Sequence, residues 1–246
     1  MPNLAIIPAR RDSGRIKDRN VHLFAGRPLV LYTIAAVLKS NQFDTVLVTS
    51  DSDEVLEIAA TVTDSRLKSE KRNRDLTTDT ATVLDVVNEV VSRYAASGES
   101  FDRVGQFLPT APFRTSADIV KAVKRLDPGV DSVVSVAEYE FPPQLALSHD
   151  ADNMLHACDP SDPFGTNRTR SKDYPKRFHP NGAIYVSWWK SFLVHRNFFK
   201  GKVASYYMPR KLSLNIEDDL DVIVGEAALE FYGIEMDLAA GSGPTG

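Results

Sequence analysis

The sequence predicts an α/β fold: an open, mainly parallel sheet flanked by helices. Three observations carry this. Short continuous apolar runs such as Leu4-Ala5-Ile6-Ile7 recur along the chain, as in strands buried on both faces of a parallel sheet. Between them lie segments whose apolar residues repeat near the helical period. The chain has 246 residues, 43% hydrophobic and 25% charged, which suits one sizeable globular core and excludes collagen-like, coiled-coil and wholly disordered chains.

The elements follow in order. Residues 4–7 form the first strand, which Pro8 is expected to stop. A loop rich in cations leads to a helix starting at Pro28, with Leu29, Ile34, Val37 and Leu38 on its apolar face. A second strand, 45–49, ends in Ser50-Asp51-Ser52-Asp53, where a hydroxyl or carboxylate can cap a helix over 54–60. Helices over 80–96 and 116–126 alternate with strands over 103–108 and 131–136, which implies right-handed crossovers in a parallel sheet. From 138 to 182 the pattern breaks: Pro142, Pro143, Pro160, Pro163, Pro175 and Pro180 interrupt it. This segment reads as an insertion into a domain spanning 1–238, with a hairpin near 145–155. Strands over 183–186 and 203–208 and a closing helix over 218–231 follow. The Gly-rich residues 239–246 read as a flexible tail.

Charge and composition narrow the function. Lys and Arg number 29 against 33 Asp and Glu, a net charge of −4, so no chain-wide grip on nucleic acid or anionic lipid is expected. The run 28–38 falls well short of the roughly 18 residues that cross a bilayer, and the N-terminus lacks the features of a signal peptide. Cys158 is the single cysteine, which rules out an internal disulfide and a Cys-based metal site. A cytoplasmic location is the default expectation.

Ligands of an open parallel sheet bind beyond the C-terminal ends of its strands. After the first strand come Arg10, Arg11, Arg15, Lys17 and Arg19 against only Asp12 and Asp18. That loop carries +3 and leaves −7 on the rest of the chain, so a local anion site sits on an acidic body. Guanidinium forks suit polyphosphate oxygens, although such a run also fits a solvated surface loop. There is no Walker or Gly-x-Gly-x-x-Gly turn, so side chains would do most of the holding. A second cluster, Arg66, Lys68, Lys71, Arg72 and Arg74, reads either as an exposed connector or as a closure over the anion. In Ser213-Leu214-Asn215-Ile216-Glu217-Asp218-Asp219, hard oxygens can hold Mg2+, or the acids can form the favoured first turn of a helix. Both hold if Asn215 and Glu217 face the site while Asp218 and Asp219 cap the helix. The five histidines show no metal-ligand spacing, and nothing near Cys158 marks it as a nucleophile.

Several segments together resemble one family. Residues Ile7-Pro8-Ala9-Arg10-Arg11-Asp12-Ser13-Gly14-Arg15-Ile16-Lys17-Asp18-Arg19-Asn20, then Phe24-Ala25-Gly26-Arg27-Pro28-Leu29, look like the nucleotide-binding signature of the CMP-sialic acid synthetases (acylneuraminate cytidylyltransferases). Ser50-Asp51, Arg72 with Asp79-Thr80-Ala81, Leu108-Pro109-Thr110-Ala111-Pro112-Phe113-Arg114, Asn181-Gly182-Ala183-Ile184-Tyr185-Val186 and Ser213 to Glu217 follow in the family's order, so the resemblance spans about residues 3 to 230.

It implies a Rossmann-like fold of the nucleotide-diphospho-sugar transferase type. It also implies Mg2+-dependent transfer of CMP from CTP to the anomeric hydroxyl of a nonulosonic acid, by positioning and electrostatics. Arg10 and Arg19 are the catalytic residues so implied, with Arg standing at 19 where the family has Lys. Ala9, Arg10, Ser13, Arg19, Asn20, Arg72 and Thr80 would bind the nucleotide. Leu108, Thr110, Arg114, Gln144, Arg170, His179 and Asn181 would bind the sugar acid, and Asn215 and Glu217 the metal. The departures concentrate on the sugar and metal sides: Leu108 replaces a Gln, His179 an Arg, Gln144 a Lys, and Asn215 and Glu217 two Asp residues. The run Arg170 to Lys176 resembles relatives that include those handling legionaminic acid. The insertion would form a homodimer interface. A nucleotidyltransferase for another sugar acid such as Kdo or another nucleotide, and a nucleotide-binding relative without catalysis, stay open as alternatives.

Overall fold

A computed structural model describes residues 1–11, 18–78, 80–159, 164, 170 and 173–238. In chain order the strands and helices are β1 (Asn3–Ala9), β2 (Leu23–Phe24), β3 (Arg27–Pro28), α1 (Leu29–Ser40), β4 (Thr45–Ser50), α2 (Asp53–Ala60), β5 (Leu67–Lys71), α3 (Val83–Ala96), β6 (Arg103–Gln106), α4 (Ser116–Val123), β7 (Ser132–Glu138), β8 (Leu147–His149), β9 (Leu155–Ala157), β10 (Phe178–Trp188), α5 (Trp189–His195), β11 (Val203–Tyr207) and α6 (Asp219–Tyr232).

Seven strands form the central sheet in the order β11-β7-β10-β6-β1-β4-β5. All run parallel except β10, which is antiparallel to both β6 and β7. Apolar residues of α1, α2 and α4 pack against Ala5, Ile7, Val46 and Val48 on one face. Those of α3 and α5 pack against Leu4, Ile6 and Leu47 on the other. The alternating residues of β1 therefore feed two separate cores, which is why residues 4–7 are apolar without interruption. A smaller third cluster, Phe24, Tyr32, Phe113, Ile216 and Val222, receives Ile234, Met236 and Leu238 from the chain's C-terminal end.

The helix ends follow their capping residues. Ser52 accepts from the Val55 amide at the start of α2. Thr82 and Asp85, Thr115 and Asp118, and Asp218 and Asp221 make reciprocal caps on α3, α4 and α6, each of which satisfies orphan amides of a first turn.

Several expectations change. Pro8 lies inside β1, opposite Thr49 of β4, while pairing with β6 ends at Ile6. In a parallel ladder, residues 6 and 8 face the same neighbour, so the missing amide of Pro8 points past the end of β6 and costs no bond. Besides the two-residue strands β2 and β3, two elements went unseen in the sequence. β5 is a charged edge strand, Leu67-Lys68-Ser69-Glu70-Lys71, whose side chains suit an exposed edge and hide the apolar signal. α5 is too short for a periodic pattern. The 183–186 strand proves to be eleven residues long and antiparallel, so residues 178–182 of the supposed insertion belong to the sheet. The hairpin near 145–155 is present as β8 and β9. The predicted tail, 239–246, lies outside the described residues. Among those described, no helix is long and apolar enough to cross a membrane.

Candidate active site

The chain crosses from β1 to β4 on one side and returns to β6 on the other side of β1. That reversal opens a crevice at the carboxyl ends of β1 and β6. A cleft of about 300 Å3 occupies it, lined by Pro8, Arg10, Arg19, Asn20, Arg72, Ala81, Thr82, Val83, Val86, Leu108, Pro109, Thr110 and Glu217. Arg10 follows β1, Arg72 follows β5 and Leu108 to Thr110 follow β6, so the strand ends themselves place most of the lining.

Three guanidinium groups converge there. Arg72 is buried, and donates to the Thr49 carbonyl at 2.8 Å while its own amide bonds the Ser50 carbonyl. Burial pushes its pKa down, Asp51 opposes this, and Arg10 adds to it. Arg19 is mostly buried and pairs with the Glu217 carboxylate. The Nε atoms of Arg19 and Arg72 are buried with no partner, donors that water does not reach and protein does not fill. Asn20 is buried, donates to the Arg10 carbonyl at 2.5 Å, and leaves its Oδ1 unpartnered. At the loop's start the Arg11 amide donates to Asp51 at 2.7 Å. The N-terminus of α3 adds its dipole, since Ala81, Thr82 and Val83 line the same cleft.

Opposite this cationic wall stands the loop after β6. The Leu108 amide bonds the Gly182 carbonyl, and the Ile216 amide donates to the Thr110 carbonyl at 2.8 Å. The second bond ties the segment carrying Asn215 and Glu217 to the cleft wall. Gly182 has φ +72°, and an added Cβ would lie 3.0 Å from the Leu108 side chain, so this close approach requires glycine.

Of the residues singled out in the sequence, Arg10, Arg19, Asn20, Arg72, Leu108, Thr110 and Glu217 meet in this cleft. Others are placed elsewhere. Ala9 is wholly buried in the core. Ser13 and Asp79 lie outside the described residues, and Thr80 is exposed just before the cleft-lining Ala81.

Arg114 faces inward rather than toward a substrate. It is 1% exposed, and donates to the carbonyls of Leu108 and Ala183 and to the Thr33 hydroxyl. Burial pushes its guanidinium down to about 9, with Asp118 and then Asp237 pulling it back. Asn181 is also fully buried. Its Oδ1 accepts from Ser135 at 2.6 Å and from the Ala183 amide at 3.2 Å, and its amide donates to Ser213. It therefore holds the irregular stretch of β10 between Pro180 and Tyr185, where the register with β7 shifts.

His179 and Asn215 line a different cavity of about 800 Å3, with Glu138, Arg210, Lys211 and Tyr232. Gln144 sits in a short helical turn, Pro143–Leu145, and Arg170 is exposed. Neither lines the cleft. The acidic first turn behaves partly as expected: Asp218 caps α6, but its partner is Asp221 rather than Asp219.

Metal ligation divides accordingly. Glu217 lines the arginine cleft, whereas Asn215 opens onto the second cavity with its Oδ1 buried and unpartnered. Among the described residues no group of three or more His, Cys, Asp or Glu could hold a metal ion. A single carboxylate completed by substrate phosphates suits Mg2+, and Glu217 fits such a role. Sequence reasoning passed over Thr82 and its neighbours in the cleft, although the capping pattern Thr82-x-x-Asp85 marked that helix start.

Residues 4–155 match the cytidylyltransferase family. The chain is 33% identical over 221 residues to an N-acylneuraminate cytidylyltransferase of Escherichia coli, covering 89% of this chain and 50% of that protein. It thus spans half that relative's length. It is 30% identical to a pseudaminic acid cytidylyltransferase of Campylobacter jejuni, covering 90% of this chain and 94% of the other. With a CMP-N,N'-diacetyllegionaminic acid synthase of Legionella pneumophila the identity is 28%, over 92% of this chain and 96% of that one. In fold it is similar to a CMP:2-keto-3-deoxy-manno-octonic acid synthetase complexed with CTP, at TM-score 0.67 and 12% identity, covering 94% of this chain and 100% of the other.

Proposed function

The chain belongs to the cytidylyltransferase family, and from that premise we propose that it transfers CMP from CTP to the anomeric hydroxyl of a nine-carbon 2-keto sugar acid. The observation that carries the reading is the convergence of Arg10, Arg19 and Arg72 at the switch point of the sheet. Such a cradle suits a triphosphate. The sugar hydroxyl oxygen bonds to the α-phosphorus, the bond from that phosphorus to the pyrophosphate oxygen breaks, and the hydroxyl proton is released. Arg10 and Arg72 hold phosphate oxygens and Arg19 neutralises charge as the leaving group departs. Leu108 and Thr110 bound the space left for the acceptor. Mg2+, held by Glu217 and phosphate oxygens, would supply further charge neutralisation.

The names of the sequence relatives support a nonulosonic acid as acceptor. A homodimer in the cytoplasm belongs to the same proposal. The exposed Phe141, Leu147, Met154 and Leu155 around the β8–β9 hairpin support a second copy as the cover of that surface. The amide at Asn215, where the resemblance implies a carboxylate, favours a second reading, a relative that binds nucleotide without turning it over. One assay decides: purified protein with CTP, Mg2+ and a panel of nonulosonic acids should release pyrophosphate. CTP binding without release would favour the second reading, and no CTP binding would overturn both.

A further inference from the structure

We propose that Arg114 is a positioning residue for this transfer: from the core it clamps the Leu108 to Thr110 wall of the cleft against β10 and α1, and so sets the acceptor against the nucleotide. Its Nη1 donates to the Ala183 carbonyl at 2.7 Å and the Leu108 carbonyl at 3.3 Å, and its Nη2 to the Thr33 hydroxyl. Thr33 itself donates to the Leu108 carbonyl at 3.3 Å. One planar fork thus gathers three segments that lie far apart in sequence.

The position is costly. A guanidinium at 1% exposure is desolvated, its hydrogen bonds go to neutral groups, and its Nε has no partner. It sits 5.6 Å over the Phe107 ring, which returns little of that cost. An apolar side chain would fill such a core site more cheaply. What Arg114 alone supplies is geometry. Leu108 and Gly182 meet directly through a backbone bond, and Thr110 carries the segment ending in Glu217 through its bond to Ile216. Loosening the clamp frees that wall as a unit.

Arg19 reaches the wall through Ile216 and Glu217, but the buried member of the nucleotide side is anchored separately. Arg72 is fixed to Thr49 and Ser50 at the end of β4 and shares no hydrogen bond with Arg114. Loss of the clamp should therefore spare CTP binding and impair turnover. That split distinguishes positioning from a general loss of structure.

The inference rests on the proposed transfer, and the test separates the two. Arg114→Lys keeps the charge but cannot reach all three acceptors. It should lower kcat about 100-fold, the scale of a misplacement near 1 Å, with the Kd for CTP by calorimetry within about threefold. Guanidinium added at millimolar concentration to Arg114→Ala should restore part of kcat, whereas methylammonium should not. Should Arg114→Ala fail to fold, Thr33→Val tests the same clamp. Losing that one hydroxyl should cut kcat roughly 2- to 10-fold, the range of a single hydrogen bond, at unchanged circular dichroism and CTP affinity. Wild-type kcat per folded molecule in Arg114→Lys or Thr33→Val, or loss that tracks the folded fraction alone, would overturn the inference while leaving the transfer intact. A wild-type protein with no turnover would overturn the transfer and the inference with it.

Discussion

Replacing Arg72 by Met separates ligand binding from stability, because the structure assigns the two roles opposite signs. Arg72 is a buried cation at 7% exposure whose hydrogen bond within the protein goes to a neutral carbonyl, and whose Nε has no partner. Burial outweighs the help from Asp51, and Arg10 adds repulsion. Folding therefore gains little from the charge, and Met fills similar volume without desolvation cost. Losing the bond to Thr49 costs about 1 kcal/mol, and removing the desolvated charge offsets that. Net stability should stay within about 1 kcal/mol of wild type, a shift of no more than about 2 to 4 °C in Tm for a domain this size. A charge-assisted hydrogen bond to phosphate is worth about 1.5 to 3 kcal/mol, so CTP affinity should fall about 10- to 150-fold. Calorimetry with CTP and a thermal melt without ligand measure the two quantities independently. CTP affinity within twofold of wild type would refute the placement of the triphosphate, and a Tm drop beyond 5 °C would refute the reasoning about the buried charge.

Other outcomes follow from the same geometry. Asn215→Asp puts a carboxylate where the side-chain oxygen is buried and unpartnered; it should destabilise by about 1 to 3 kcal/mol and leave turnover no higher, and a large gain in turnover would show that position 215 does hold the metal. Glu217→Gln should raise the Mg2+ concentration needed for half-maximal turnover, and an unchanged Mg2+ titration would remove Glu217 from the metal. Tyr32 is pushed up to about 12 from 10.0, chiefly by burial against the opposing pull of Arg27. A folded pKa above the unfolded one means that its contribution is whole below pH 10 and is lost as pH rises toward 12. Tyr32→Phe should therefore flatten the decline of Tm with pH over that interval, and an equally steep decline would place the alkaline sensitivity elsewhere.

Much of the cleft's cationic lining was visible before the chain was folded. Arg10, Arg19, Asn20 and Arg72 lay in a basic loop and a basic cluster near strand ends, where an open parallel sheet places its ligands, and all four line the cleft. The strands were legible because β1 and β4 are buried on both faces, so their apolar runs are continuous. β5 was not, because an exposed edge strand carries charge instead.

Residue type and spacing determined on their own the strand–helix alternation, the local surplus of positive charge and the segments that meet at the strand ends. Only the tertiary structure decided which polar groups of those segments face the cleft. Arg114 and Asn181 sit in the motifs expected to contact substrate, yet both point into the core. Asn215 and Glu217, two residues apart, open onto different cavities. The reason is that a buried polar side chain turns toward whatever partner its fold provides, and those partners are remote in sequence: Ala183 for Arg114, Ser135 for Asn181, Glu217 for Arg19. Local sequence carries the donor and acceptor types but not the positions of the groups that complete them.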